Sequence, residues 1–437
     1  MTPGVSFPRS SMRLGACRSG AFGLLMVAGV TMHGCDSRPA SRESLGAEGS
    51  DGAAVIGNGE SRWDSGEEWS VAGEPRLVIG VLDGCEEYEF VDIAAAARQS
   101  DGDLVVADAG SRTVRLYGAD GMFKRVLGGA GAGPGEFQNP TQVVVLGADS
   151  IVVWDDQAYR ITRFDSAGNF AGVHSFSRER IAVAVDAPLY PGAGTLLAEG
   201  ELLVRLIEKN EKSQDSPSTV RFRPKSGALR VSTDRSPIDT VMFFGDVEQV
   251  LVEAPWGPQA VVPPLARHTS IAVQPTEART CIGDQTAAEV RCFDPDGAMT
   301  MVRWEAQQIP VRGDEREIGT WRDETRQLYE QKLSQAEVRE LISQIPVPTE
   351  RPPYSELMLD EYGNLWVERG PTISGGSEVT EYLVFDRAGK LLGPVMVPPV
   401  RVLEIGVDYL IAAHQDELEI QYLQVFEIEK PPGRPRR

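Results

Sequence analysis

The sequence predicts an all-β chain folded as a six-bladed β-propeller, and three observations carry that expectation. Residues 101–176 hold two copies of one unit: Leu104–Asp108 matches Ile151–Asp155, and Arg112–Gly121 matches Arg160–Gly168. Each copy is a short apolar strand ending in Asp, a polar turn, an alternating strand, and a tight Asp/Gly turn into another strand. That is a meander with a period of roughly 40–50 residues, the spacing of propeller blades. The Asp/Gly turn returns at Asp294–Gly297 and Asp386–Gly389, while a single stretch among the 437 residues has helical spacing.

Residues 1–35 read as an address. Arg9, Arg13 and Arg18 precede the apolar run Ala21–Thr31, which is too short to span a bilayer. The run ends in Met32-His33-Gly34-Cys35, which resembles a bacterial lipoprotein cleavage site. That resemblance implies Cys35 as the lipidated first residue of the mature chain. Met32 and His33 depart from the usual residues there, so secretion without a lipid stays open. Residues 36–71 are rich in Ser, Gly, Glu and Arg and are expected to be a disordered tether.

Losing three arginines and no acid with the signal would take the net charge from −21 to −24. Such a surface repels nucleic acid and anionic headgroups. Cys85, Cys281 and Cys292 remain in the domain. Cys281 and Cys292 lie on two strands of one hairpin, roughly symmetric about its turn, so they form either a cross-strand disulfide or two buried thiols.

The elements follow in order. Arg76–Leu82 is an apolar strand without a neighbouring partner. The first blade takes Phe90–Ala97, Leu104–Asp108, Thr113–Tyr117 and Phe123–Leu127. Leu127–Pro140 (LGGAGAGPGEFQNP) is a Gly-rich link into a strand, not a helix, which excludes a phosphate cradle. Gly131–Pro140, then Val153–Asp155 and Arg160–Gly168, resemble the NHL-type propeller repeat over two blades. The whole chain is similar to six-bladed propeller lipoproteins of bacteria.

A looser third blade is expected at Ala182–Leu189, Thr195–Ala198, Leu202–Ile207, Val220–Phe222 and Leu229–Ser232. A fourth takes Thr269–Val273, Arg279–Gly283, Glu289–Phe293 and Met299–Trp304. A fifth takes Glu356–Leu359, Asn364–Glu368, Glu381–Phe385 and Leu391–Val395. The sixth has Arg401–Gly406, Tyr409–Ala413 and Ile420–Ile428, one strand short. Arg76–Leu82 would complete it and close a ring over residues 72–430. Residues 431–437 form a basic tail. Pro237–Ala266 and the helical insert 314–345 extend two blade-to-blade connections. Ser334 and Glu337 make a capping box ahead of an apolar stripe at Val338, Leu341, Ile342 and Ile345.

Strand direction alternates within a blade. Blade-to-blade connections and the second-to-third-strand loops therefore leave on one face, and the Asp/Gly turns on the other. The insertions make the first face the candidate ligand-binding face. It would carry Asp108, Arg112, Asp155, Asp156, Arg160, His268, Glu368, Arg369, His414 and Asp416. The repeated Asp and Arg are either an acid–base pair or a turn and ion-pair device; their recurrence between blades favours the second. Trp154, Trp366 and Trp256 line a stacking groove or fill blade cores.

Metal-dependent amidating lyases built on NHL-like propellers place histidines from several blades around zinc. By that likeness His268 and His414, with Asp416 or Asp155, are weak metal candidates. No Ser-His-Asp, nucleophile-elbow or phosphate-loop pattern is present. The sequence therefore reads as an exported, lipid-anchored monomeric module that binds an envelope protein, peptide or glycan, with no catalysis and no cofactor. The alternatives are a metal-dependent lyase or hydrolase with its site at the pore mouth, and a structural module whose helical insert binds a partner subunit.

Overall fold

The computed structural model describes residues 54–430, apart from 60, 64–66, 83, 185–188, 199, 209–220, 233–238, 307–308, 312–315 and 375–376. The signal segment with Cys35, residues 36–53 and the tail 431–437 lie outside the described residues.

Strand by strand, the chain buries alternate residues on opposite sides. Leu104 and Val106 pack toward the sixth blade, while Val105 and Ala107 pack toward the second. In the second blade Ile151 and Val153 face the first, and Val152 and Trp154 face the third. This is the period-two pattern of a strand with both faces covered. Among the described residues the apolar core of the ring is consequently divided into six clusters, each between adjacent blades. They run from the junction of the sixth and first blades round to that of the fifth and sixth. The result is a closed propeller.

Six meander sheets supply these faces. The first blade comprises Ile93–Arg98, Leu104–Asp108, Thr113–Tyr117 and Phe123–Gly128; the second Pro140–Leu146, Ser150–Asp155, Arg160–Phe164 and Phe170–Ser175. The fourth comprises Ser270–Gln274, Arg279–Gly283, Glu289–Phe293 and Met299–Trp304. Cys281 and Cys292 are opposite one another in its register and are joined by a disulfide.

The third blade corrects the expected boundaries. Its strands are Leu189–Ala198, Glu201–Glu208, Lys225–Ser232 and Asp239–Gly245. Residues expected to start the inner strand instead form a short helix, Arg178–Ala184. Pro191 and Gly194 flank a register shift that interrupts the alternation. The outer strand Asp239–Gly245 comes from the segment read as an insertion.

In the fifth blade the second and third strands grow into a long hairpin, Leu365–Ser374 and Ser377–Phe385, between Leu357–Leu359 and Leu391–Val397. The sixth takes Arg401–Ile405, Tyr409–Gln415 and Gln421–Glu429. Leu77–Ile79 pairs antiparallel with Leu423–Val425, and Ser70–Val71 with Ile428–Glu429. The N-terminal strand thus closes the ring, in two pieces.

The segment just before it also departs from expectation. The described residues between 54 and 71 are not a free tether. Ala54–Asn58 adds in parallel to Met299–Trp304 on the outer edge of the fourth blade. Arg62 and Trp63 then donate backbone N–H groups to Leu392 O on the fifth. The Trp63 and Trp69 rings lie 5.4 Å apart, tilted by 40°, and pack on the core between the fifth and sixth blades. Two partly buried indoles and added edge hydrogen bonds outweigh the polar composition that suggested disorder.

The Asp/Gly turns have a second structural reason. Gly168 has φ +77°, and a Cβ there would meet Leu127 Cδ2 of the preceding blade. Gly121 and Gly389 abut Leu77 and Val302 in the same way. The glycine permits the left-handed turn and lets the turn rest on the neighbouring outer strand.

Candidate functional site

Several of the sequence candidates are engaged in hydrogen bonds within the fold. Asp108 is fully buried and accepts the N–H groups of Val91, Asp92, Gly110 and Ser111 at 2.9–3.1 Å. Asp155 accepts those of Gln138, Asn139 and Ala158 at 2.8–3.0 Å. Each carboxylate ties an incoming blade connection to a turn, where several N–H donors satisfy it.

Arg160 donates to Ala132 O and Glu136 O and so holds the Gly-rich link. Arg112 is not its counterpart. Arg160 pairs with Asp155 and Thr113 with Asp108, so Arg112 corresponds to Tyr159, and both adopt left-handed φ (60° and 54°). The matched Asp and Arg of the two blades are therefore displaced by one residue. Asp156 accepts from Trp154 Nε1 and Gly194 N, both at 3.2 Å. Trp154 and Trp366 are fully buried core residues, while Trp256 is exposed.

His414 lies on the sixth blade with its ring 6.3 Å from that of Tyr422, whose hydroxyl donates to Asp416 at 3.1 Å. Burial lowers the His414 pKa, against the raising effect of Asp416. His268 stands on the fourth blade, which does not adjoin the sixth, so the two histidines do not form one ligand set. Among the described residues no group of three or more His, Cys, Asp or Glu is placed to hold a metal ion.

The side chains that do converge are His268, Ser270, Gln285 and Glu356, at the mouth between the fourth and fifth blades. His268 stands two residues before one inner strand and Glu356 one residue before the next, so the packing of those strands brings them together. His268 Nε2 is 3.0 Å from Glu356 Oε1, and Ser270 Oγ donates to Glu356 Oε2 at 2.7 Å. Gln285 is buried. It accepts from His268 N at 2.9 Å and donates to Ser355 O at 2.6 Å, and its own N–H reaches Tyr354 Oη at 3.0 Å. The His268 and Glu356 side chains keep 24% and 38% exposure, so solvent reaches them.

Glu356 also lies opposite Glu368 across the next hairpin, and their backbones are hydrogen-bonded. Tyr382 donates to Glu368 at 3.3 Å. Burial, then Glu368 and Glu356, hold the Tyr382 hydroxyl well above its ordinary pKa. Arg369 pairs with Glu381 at 3.1 Å. The sequence located His268 and Glu368 as strand-end residues. Glu356, Ser270 and Gln285 read there as ordinary strand and turn positions, and only the blade register brings them to the same mouth.

A folded cap stands on the same face. It joins three loops distant in sequence: Arg221–Phe222, the hairpin Gln249–Ala254 and Gly257–Val261, and the helices Arg316–Glu330 and Gln335–Ser343. Val338, Leu341 and Ile345 pack on Val250, Val252 and Val261. The Ser334–Glu337 capping box is formed. Gln344 exchanges hydrogen bonds with the backbone of Glu253. Arg223 fastens the cap to the ring through Gly245 O, Asp246 O and Asp284 O, each at 2.7 Å.

With the Glu356 carboxylate on Nε2, His268 has no hydrogen-bond partner at Nδ1 among the described residues. The pair offers an oriented imidazole nitrogen and a carboxylate edge to a polar ligand.

No family model matches the chain, and no curated protein matches it. Solved structures are similar in architecture. A member of the DUF4221 family from Bacteroides vulgatus is 8% identical over 83% of this chain and 99% of its own, with a TM-score of 0.48. A protein described as exported, from Bacteroides fragilis, is 12% identical over 86% and 99%, with a TM-score of 0.41. A gluconolactonase from Xanthomonas campestris is 14% identical over 78% and 88%, with a TM-score of 0.37. Among the described residues no helix is long and apolar enough to cross a membrane.

Proposed function

We propose that this chain is an exported propeller, anchored through a lipid on Cys35, that binds a protein, peptide or glycan at the cell envelope through its capped face without catalysis. One observation carries the reading. Three loops far apart in sequence build one folded cap on the face where His268 and Glu356 meet. Ordering so much chain on one rim, while the Asp/Gly turns opposite stay minimal, concentrates adaptable surface where a partner would dock. The hydrogen bonds of Gln285 and Ser270 preorganise that surface.

Site-specific photo-cross-linking in the native envelope tests this. A photoreactive residue at position 268 should capture one defined partner. The same residue at His174, on the outer strand of the second blade, should not. Equal capture from both positions would sink the reading.

A second reading, a metal-dependent lyase or hydrolase, rests on the imidazole that Glu356 orients with Nδ1 open, an arrangement suited to a ligand atom or a general base. Metal content of the untagged soluble chain tests it. One divalent ion per chain, lost in His268→Ala, would favour this reading.

A further inference from the structure

The opposite face has a cavity of its own. A cleft of about 270 Å³ opens between the sixth and first blades on the side of the Asp/Gly turns. Arg98 ends the inner strand of the first blade. Tyr409 begins the second strand of the sixth with Asp408 just before it, Glu427 and Glu429 end its third, and Arg76 precedes its last.

Tyr409 and Glu427 face each other in register, so their side chains leave the same side of the sheet. The Arg98 guanidinium lies 4.5 Å over the Tyr409 ring, which fixes its plane. Its nearest carboxylate oxygen, on Asp408, is 3.8 Å away, and Arg76 is 3.7 Å from Glu427. Both distances exceed hydrogen-bonding reach. Among the described residues neither guanidinium donates a hydrogen bond, so the cleft holds two forks and their carboxylate neighbours with donors and acceptors left open.

We propose that this cleft binds a small zwitterion of amino-acid size, its carboxylate on Arg98 and Arg76 and its ammonium on Asp408 and Glu427. A flat guanidinium is a bidentate receptor for carboxylate. Asp408, Glu427 and Glu429 repel a dianion such as phosphate and supply the partners an ammonium needs. The volume, about 270 Å³, lies just below that of drug-sized ligand pockets, which run roughly 300–1,000 Å³, and so suits a ligand of amino-acid size. The site is independent of the capped face and stands or falls without it.

Calorimetric titration of the full mature chain with individual free L-amino acids tests the proposal, with acetate and methylamine as single-charge probes. At least one amino acid should bind once per chain. Acetate and methylamine should give no heat at about 10 mM, a concentration at which millimolar affinities are visible. Arg98→Gln and Asp408→Asn should each weaken binding by about tenfold or more, the effect of removing a charge-assisted contact. Arg76→Gln, at the exposed rim, should do likewise with an unchanged melting temperature, which guards against a misfolded Arg98 variant. The absence of amino-acid binding, acetate binding as tightly as an amino acid, or indifference to all three substitutions would each overturn it.

Discussion

His268 Nε2 lies 3.0 Å from Glu356 Oε1, and that contact joins the mouths of two adjacent blades. Since Glu356 also accepts from Ser270, whose Oγ accepts Leu357 N at 3.0 Å, the pair is fixed to both inner strands. Partly exposed side-chain pairs of this kind contribute little on their own, about 0–1 kcal/mol. Glu356→Ala, which removes the acceptor, should therefore leave the melting temperature nearly unchanged while releasing the imidazole. Histidine ¹⁵N chemical shifts should show a single Nε2–H tautomer in the parent at alkaline pH and a mixture in the variant. A parent that is already mixed would contradict the assigned hydrogen bond.

The turn glycines separate two effects that one sequence motif conflates. Gly168 and Gly297 both have positive φ, 77° and 85°, but only Gly168 has a neighbour where a Cβ would go. Gly297→Ala should cost about 1 kcal/mol of backbone strain. Gly168→Ala should cost that and about 1–3 kcal/mol more as Leu127 is displaced. Denaturant unfolding of the two variants measures the difference.

Trp63 occupies the space above Gly393, where a Cβ would sit 2.2 Å from its ring. Gly393→Ala should lift the N-terminal segment from the fifth blade. Trp63→Ala should destabilise by about 2–4 kcal/mol, since the indole is only partly buried. Limited proteolysis should then cut near residues 61–69 in both variants and spare the parent.

Glu404, on the inner strand of the sixth blade, has its carboxyl pushed up to about 7, chiefly by burial, against the hydrogen bond from Tyr409. The neutral form is thus favoured in the folded chain. Its contribution to stability is fully present below the ordinary carboxylate pKa and is lost as pH rises through 7. Glu404→Gln should be more stable than the parent at pH 8, and the gap should close toward pH 4.5. A constant gap across that range would refute the assignment.

The blades were legible because alternation is strict where both faces of a strand are covered, as at Leu104–Asp108 and Ile151–Asp155. The third blade was less so, because Pro191 and Gly194 break the period where the register shifts. The N-terminal strap was hidden: Ala54–Asn58 is short, and Trp63 and Trp69 stand among polar residues whose average suggests disorder. Half of the cap was visible as a capped helix with an apolar stripe. Its partner, Val250 and Val252, lies in another connection and shares no local pattern with it. At the candidate site, His268 stood out as a histidine beside an inner strand. Glu356 did not, since its role depends on which strand packs beside which. The Arg112 assignment failed by one residue, because the turn places Tyr159, not Arg160, at the matching position.

The claim that the capped face is the working surface is tested most directly by affinity. The partner cross-linked from position 268 would be purified and titrated against the parent chain and against His268→Ala. The account predicts a loss of about tenfold or more, roughly 1.4 kcal/mol, in the variant at unchanged melting temperature. Equal affinity for the two chains would contradict it and place the binding surface elsewhere on the ring.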